Sequence, residues 1–186
     1  MSKILVIAGH PNYKASFANR NILDEFHKLV PHADIVYLDA LYNMKPINVE
    51  EEQRRLRGAN VIVLEFPIWW YSSPSLMHRY VEDVFTHGFA YGSQGKALND
   101  KKFILSFTFG SSQEDYTPMG AQHVTVEQLL PPFLAMVNLT GMDWKGYIAS
   151  FGMALINPSD EKIKEEILTK AKHHALRLAN LAEGTV

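Results

Sequence analysis

Five short apolar runs along the chain have the length and composition of strands buried on both faces of a sheet. Continuously apolar runs, as opposed to alternating ones, are typical of parallel sheets, because helices cover both sides of such a sheet. We therefore predict five parallel strands. They cover residues 4–8, 35–38, 61–66, 103–107 and 144–151.

The segments between these runs carry apolar residues at helical spacing. Long amphipathic patterns follow Ser16, Pro74 and Asp160, and shorter helical segments cover residues 48–57 and 128–139. Ser16 suits the N-cap of its helix, and Pro74 suits the first helical position. Five strands that alternate with five helical segments predict an α/β three-layer sandwich, with a five-stranded parallel sheet and helices on both faces.

The composition limits the classes of protein to consider. The chain has 186 residues, of which 47% are hydrophobic, which predicts one domain over residues 1–186 with a substantial core. The formal net charge is −2, without a basic block for nucleic acid. Cysteine is absent, which excludes disulfides and thiolate metal sites. The N-terminal apolar run is too short to span a membrane and lacks a signal-peptide cleavage site, so we expect a cytoplasmic protein.

Three loops that follow the first, third and fourth predicted strands should meet at one edge of the sheet, where ligands of doubly wound sheets bind. The loop of residues 9–16 leads into a helix whose free amides attract anions such as phosphate. Residues 67–73 include three aromatic side chains, and residues 108–116 are rich in small residues. This combination suits a flavin nucleotide. From spacing alone, two interpretations fit equally well. Ser16 and His10 either bind the phosphate or are an ordinary helix cap and an ordinary turn residue.

Several stretches also carry a resemblance to a known family. They are AGHP with Ser16-Phe17-Ala18-Asn19, FPIWWYSSPSLMHRYVEDVFTHGFAYG, and the loop that begins at Thr108. From Lys3 to about Phe151, the chain resembles the flavodoxin-like NAD(P)H:quinone oxidoreductases. That family includes DT-diaphorase-like enzymes and the flavoprotein ancillary subunits of bacterial glutathione-gated potassium efflux systems. The resemblance implies a flavodoxin-like fold, a homodimer, NAD(P)H as co-substrate and FMN as cofactor, with FAD as the alternative.

By position, the resemblance also implies which residues bind the cofactor. His10, Ser16, Phe17 and Asn19 would contact the flavin phosphate and ribityl chain. A second group from the other two loops would frame the isoalloxazine ring: Pro67, Ile68, Trp69, Trp70, Tyr71, Thr108, Phe109, Gly110 and Ser111. Trp69 and Phe109 are larger than the residues that relatives often carry there, so we expect bulkier walls around the ring.

The resemblance implies a two-electron ping-pong reaction, in which hydride passes from NAD(P)H to flavin N5 and then to a quinone or similar acceptor. Tyr116 and His123 resemble the Tyr/His pair that stabilises charge on the reduced flavin, and a histidine of near-neutral pKa suits that role. The spacing differs by about one residue from the family pattern, so Gln122 is an alternative to His123. No G-x-G-x-x-G follows any strand, which agrees with docking of the nicotinamide on the flavin itself.

Two other functions share the predicted fold. One is a regulatory flavoprotein subunit of a membrane potassium efflux transporter, which would lie at the inner face of the membrane. The other is a non-enzymatic electron carrier of the flavodoxin type, which is disfavoured because the T-x-T-G-x-T phosphate loop and strong acidity of such carriers are missing.

The sequence also predicts two features of the surface. We expect Phe89-Ala90-Tyr91 to be an exposed apolar patch at a dimer interface, and His173-His174 to lie on a solvated helix face without a metal.

Overall fold

The computed structural model describes residues 2–185, and its five strands form one parallel sheet. The order across the sheet is β2-β1-β3-β4-β5, and every neighbouring pair is parallel. This is the flavodoxin-like order of a doubly wound sheet, so the predicted fold is confirmed. The strands are β1 Ile4–Ala8, β2 Asp34–Tyr37, β3 Val61–Pro67, β4 Lys102–Thr108 and β5 Asp143–Ser150.

Within residues 2–185 there are seven helices instead of the predicted five. Leu38 begins a short helix and does not end β2, and the predicted segment 128–139 is two helices. Pro131 separates these two because it lacks an N–H and occupies the first position of the second. Pro74 is the N-cap of its helix and not its first residue. The helices are α1 Phe17–Leu29, α2 Leu38–Tyr42, α3 Val49–Gly58, α4 Ser75–Val84, α5 Val126–Leu129, α6 Pro131–Thr140 and α7 Glu161–Glu183.

The sheet separates two helical layers with distinct cores. Side chains of β1 alternate between them: Leu5 and Ile7 pack toward α2 to α6, whereas Ile4, Val6 and Ala8 pack toward α1 and α7. All five residues are buried, as expected for a central parallel strand with covered faces. The layers therefore fix the strands, and the loops at the carboxyl ends of the strands are left free to form a ligand site.

Two expectations about the surface are wrong. Phe89 is only 4% exposed and Ala90 is fully buried, and the guanidinium of Arg57 lies 4.9 Å from the centre of the Phe89 ring. His173 is exposed, but His174 is buried, with Ser106 Oγ and Ser150 Oγ each 2.8 Å from a ring nitrogen. Burial lowers the pKa of His174 to about 3, so this histidine is a neutral part of the core.

Between residues 2 and 185, no helix is long and apolar enough to span a membrane. Over the same residues, no three His, Cys, Asp or Glu side chains group in a way that could hold a metal ion.

Candidate functional site

A cleft of about 640 Å³ lies at the carboxyl ends of the strands, where the loops after β1, β3 and β4 meet. The segment after β5 closes one side of this cleft with Met153, Ala154 and Leu155. The volume is within the range of small-molecule sites. Ten of the thirteen predicted cofactor contacts line it: His10, Ser16, Phe17, Asn19, Pro67, Ile68, Trp69, Thr108, Phe109 and Gly110.

The start of helix α1 forms one end of the cleft. Ser16 is the N-cap, as predicted, and its Oγ accepts a hydrogen bond from the Asn19 amide at 3.3 Å. The next two amides, of Phe17 and Ala18, have no carbonyl partner within their own helix, as at any helix start. Since both residues line the cleft, this end carries the partial positive charge of a helix N-terminus and suits an anion.

His10 lies between the helix start and the aromatic loop. Its Nδ1 accepts a hydrogen bond from the Asn12 amide at 3.0 Å, which leaves Nε2 as the protonated nitrogen of the neutral ring. Burial lowers the pKa of His10, although the nearby charge of Asp39 opposes this effect. His10 is therefore a neutral hydrogen-bond donor at physiological pH.

Three basic side chains of the cleft were missed by the sequence analysis. Lys14 and Arg20 flank the N-cap of α1, and Lys164 reaches the cleft from α7. Lys164 also pairs with Glu161 at 2.7 Å. Lys14 and Arg20 were predictable from the sequence, because both lie within four residues of the predicted N-cap, Ser16. The residues after β5 were also predictable in principle, since all parallel strands end at the same edge.

A buried hydrogen-bond network underlies the loops. The Nδ2 group of Asn19 donates to Glu65 Oε1 at 2.6 Å, and the Tyr13 hydroxyl donates to Glu65 Oε2 at 2.5 Å. The hydroxyls of Ser16 and Thr108 both donate to Asn19 Oδ1 at 3.3 Å. Asn19 therefore ties the helix start to β3 and β4. Burial raises the pKa of Glu65 to about 7, even though the bonds from Tyr13 and Asn19 favour its ionised form.

The aromatic loop after β3 makes a tight turn. Trp69 and Ser72 exchange backbone hydrogen bonds of 3.0 and 3.1 Å, and between them Trp70 and Tyr71 have φ angles of 50° and 61°. Such left-handed backbone is rare for bulky residues and is typical of functional loops. The turn places Trp69 in the cleft, edge-on to His10 with ring centres 5.4 Å apart. Trp70 is 93% exposed and does not line the cleft.

The loop after β4 contributes mainly backbone. Phe109 is only 1% exposed, and its ring stacks on Phe151 with centres 4.7 Å apart. Phe109 lines the cleft but presents little surface to it, whereas Trp69 is 47% exposed. Ser111 is also outside the cleft lining, and its carbonyl accepts a hydrogen bond from the Gly152 amide at 2.7 Å.

The predicted catalytic pair lies beside the cleft and not in its lining. Tyr116 is half-buried, with its ring centre 4.3 Å from that of Phe109, and burial raises its pKa. His123 is exposed and is placed near the Pro118 carbonyl, with Nδ1 3.4 Å from the oxygen. Gln122, the alternative to His123, accepts a hydrogen bond from the Tyr71 hydroxyl at 2.9 Å. The structure thus connects Gln122, and not His123, to the aromatic loop.

Comparisons with known proteins agree with this architecture. A family described as having a flavodoxin-like fold matches residues 2–175. An uncharacterised NAD(P)H oxidoreductase of Bacillus subtilis, YrkL, is 36% identical over 177 residues, which cover 92% of this chain and 99% of YrkL. The glutathione-regulated potassium-efflux system ancillary protein KefF of Enterobacter sp. is 32% identical over 183 residues, which cover 97% of each chain.

Two solved structures are informative about the cleft. General stress protein 14 of Treponema denticola, in complex with FMN, superposes with a TM-score of 0.86 at 28% identity and covers 96% of this chain and 99% of its own. An NADPH-quinone reductase from P. pentosaceus superposes with a TM-score of 0.70 at 26% identity and covers 94% of this chain and 98% of its own.

Proposed function

The chain belongs to the flavodoxin-like family that matches residues 2–175, and on that premise we propose that it is an FMN-dependent NAD(P)H:quinone oxidoreductase. The observation that carries the proposal is the cleft itself, whose lining combines an anion-attracting helix start with the aromatic side chain of Trp69. The YrkL relative is named an NAD(P)H oxidoreductase, and one of the structural neighbours is in complex with FMN. The P. pentosaceus neighbour is an NADPH-quinone reductase.

We assign the phosphate of FMN to the start of α1. The free amides of Phe17 and Ala18 would bind its oxygens, as helix N-termini do in other nucleotide sites. Lys14 and Arg20 would add positive charge from the open side of the cleft. The cap hydroxyl of Ser16 already holds the Asn19 amide, so its main contribution is to fix the direction of the first turn.

We assign the isoalloxazine ring to the opposite end of the cleft. Trp69 and Ile68 would form one side and the backbone of Gly110 the other. The neutral His10 would donate a hydrogen bond toward the ligand from Nε2, since Nδ1 is occupied. Aromatic contact of this kind contributes roughly 1 kcal/mol beyond the area that it buries.

When bound, FMN would supply two-electron chemistry, accepting hydride from NAD(P)H at N5 and returning it to a quinone in a ping-pong cycle. The protein would orient the reactants and balance charge. Burial raises the pKa of Tyr116, so its hydroxyl is protonated at neutral pH and is able to donate. We propose that Tyr116, with Tyr71 and Gln122, borders the acceptor site. His123→Ala should leave quinone turnover unchanged, whereas a large loss in steady-state rate would restore the predicted Tyr116–His123 pair.

One preparation tests the proposal. The purified protein should carry a yellow chromophore that is released as FMN, and anaerobic NADH or NADPH should bleach it. Addition of menadione should restore the colour within the same cuvette. A colourless protein that binds neither FMN nor FAD would overturn the proposal.

A second candidate is a regulatory subunit of a potassium efflux transporter, because KefF is similar over nearly its whole length. We propose a homodimer in either case, with the exposed Trp70, Tyr71 and Met119 as candidate contacts. Co-purification with a membrane transporter, together with slow quinone turnover, would favour the subunit. Light scattering would measure the oligomeric state.

A further inference from the structure

Glu65 is a buried carboxyl group that contacts the cleft through a single intermediate side chain. It lies in β3, two residues before the aromatic loop, and its side chain is fully buried. Its partner Asn19 lines the cleft and stands in the first turn of α1, next to the amides assigned to the phosphate. A carboxyl group in this position influences the anion-binding end of the cleft without contacting the ligand.

Acids and phenols surround Glu65, and within residues 2–185 no cation forms an ion pair with it. Tyr13 faces it from the loop after β1 and Tyr37 from the end of β2, with Asp24 on α1 and Asp39 on α2 near these two tyrosines. His10 of that loop has Asp39 as its charged neighbour, and on α7 the neutral His174 contacts Ser106, the β4 partner of Glu65. The ionised form is therefore held only by two hydrogen bonds from neutral donors.

The network has a complete set of partners for both protonation states. When Glu65 is ionised, Tyr13 and Asn19 donate to its two oxygens. When Glu65 is protonated, it donates to the Tyr13 oxygen, and the Tyr13 hydroxyl turns to the carbonyl oxygen of Asn19 at 3.3 Å. Neither state leaves a buried donor unsatisfied, so a proton is gained or lost without rearrangement of the loops.

We infer that Glu65 is a positioning residue for the phosphate end of the cleft, and that binding of a phosphate-bearing flavin is linked to protonation of its carboxyl group. This inference rests on the proposed function for the identity of the ligand. An ionised Glu65 would repel the phosphate across a medium of low polarity, whereas a protonated Glu65 keeps the same contact to Asn19 without the charge. Bound phosphate would in turn favour the proton, since linkage is reciprocal.

The test compares FMN with riboflavin, which lacks the phosphate, on the flavin-free protein. Dissociation constants are measured by flavin fluorescence across a pH series that includes pH 6 and pH 8. For the wild-type protein, the dissociation constant of FMN should rise between these pH values by about fivefold more than in Glu65→Gln, as expected for a linked proton. Ionisation of the phosphate itself is common to both proteins and cancels. Riboflavin should show no such difference.

Glu52→Gln is the matched control, because Glu52 is equally buried and accepts two side-chain hydrogen bonds, from Tyr42 and Tyr80, as Glu65 does from Tyr13 and Asn19. It does not line the cleft, so its replacement should preserve the wild-type pH profile. Tyr13→Phe removes a donor to the carboxylate and should move the pH midpoint upward. This variant decides the question by itself if circular dichroism shows that Glu65→Gln does not fold.

Three results would contradict the inference. They are an unchanged pH profile in Glu65→Gln, an equal loss of pH dependence in Glu52→Gln, and a midpoint that stays in place in Tyr13→Phe. A wild-type protein that binds neither flavin at any pH would instead overturn the proposed function, and the inference with it. The outcomes are therefore distinguishable.

Discussion

Glu52 and Glu65 are both fully buried, and each accepts hydrogen bonds from tyrosine hydroxyls. Their surroundings differ. Glu52 lies in α3, where Tyr42 of α2 and Tyr80 of α4 reach it and Arg55 Nε lies 3.6 Å from Oε1. Glu65 lies near the end of β3 beneath the cleft, and no ion pair of the described residues 2–185 includes it. Burial raises the pKa of both.

The difference separates a structural role from a role in ligand binding. The charge of Glu52 is balanced by the neighbouring Arg55. Glu52 therefore holds α2, α3 and α4 together, and its ionisation has little effect on the cleft. Glu65 lies beneath the cleft, where a bound ligand can change the protonation of its carboxyl group. Shifted pKa values of this kind are typical of functional sites. Four predictions follow from this comparison, from the largest expected effect to the smallest.

The largest effect on stability is expected when the carboxyl group of Glu52 is removed. Glu52→Ala leaves two buried tyrosine hydroxyls without their acceptor and Arg55 without one of its partners. The free energy of unfolding in urea should fall by about 3 kcal/mol. Glu65→Ala should cost about 2 kcal/mol, because no charge is left behind, and it alone should weaken FMN binding at pH 6, where a protonated Glu65 holds Asn19 without repelling the phosphate. A larger loss of stability for Glu65→Ala would break the comparison.

The second effect concerns pH. The pKa of Glu65 is raised from 4.5 to about 7 in the folded protein, so the folded state retains a proton that the unfolded state releases above about pH 4.5. Stability should therefore fall as the pH rises from about 4.5 to 7 and then level off. Subtracting the unfolding free energy of Glu65→Gln at each pH isolates this contribution, which should be on the order of 3 kcal/mol. A flat difference curve would contradict it.

The third effect compares two helix caps. Ser16 caps α1 at the cleft and Asn48 caps α3 in the framework, and each side chain accepts a hydrogen bond from the amide three residues later. Alanine at either position should cost about 1 kcal/mol in stability. Only Ser16→Ala should also raise the dissociation constant of FMN, as measured by fluorescence titration. If Asn48→Ala weakens FMN binding equally, the effect arises from the loss of stability and not from the cleft.

The smallest effect concerns exposed lysines. Lys14 lines the cleft, whereas Lys28 pairs with Glu25 on the far end of α1. Lys14→Ala should weaken FMN by about 0.5–1 kcal/mol at low salt, and the loss should shrink as salt screens the charge. Lys28→Ala should change neither FMN affinity nor stability by more than about 0.5 kcal/mol. Salt titrations of both variants provide the measurement.

The strands and the position of the cleft were predictable from sequence because both depend on local patterns. Apolar runs locate strands to within about one residue, and the edge where loops meet follows from parallel pairing. The helix count was not predictable in this way, since α2 has five residues and α5 only four. Helices of that length are set by tertiary packing and not by their own periodicity.

Side-chain direction was the main limit for the site. The sequence places Phe109 next to Thr108, but packing on Phe151 and Tyr116 leaves its ring with almost no exposed surface. His123 and Gln122 are neighbours in the chain, yet only Gln122 reaches Tyr71. Glu65 was also missed, although a single charged residue in a strand that is otherwise apolar is a visible signal.

The turn at Trp69 and Trp70 provides an intrinsic fluorescence signal for ligand binding. One indole lies inside the cleft beside His10, and the adjacent one stands almost entirely in water. The third tryptophan, Trp144, lies in β5 against Phe103, at the opposite end of the strands. Occupation of the cleft should therefore quench the emission of Trp69 and leave that of Trp144 unchanged, so that ligand entry can be followed in real time without any label.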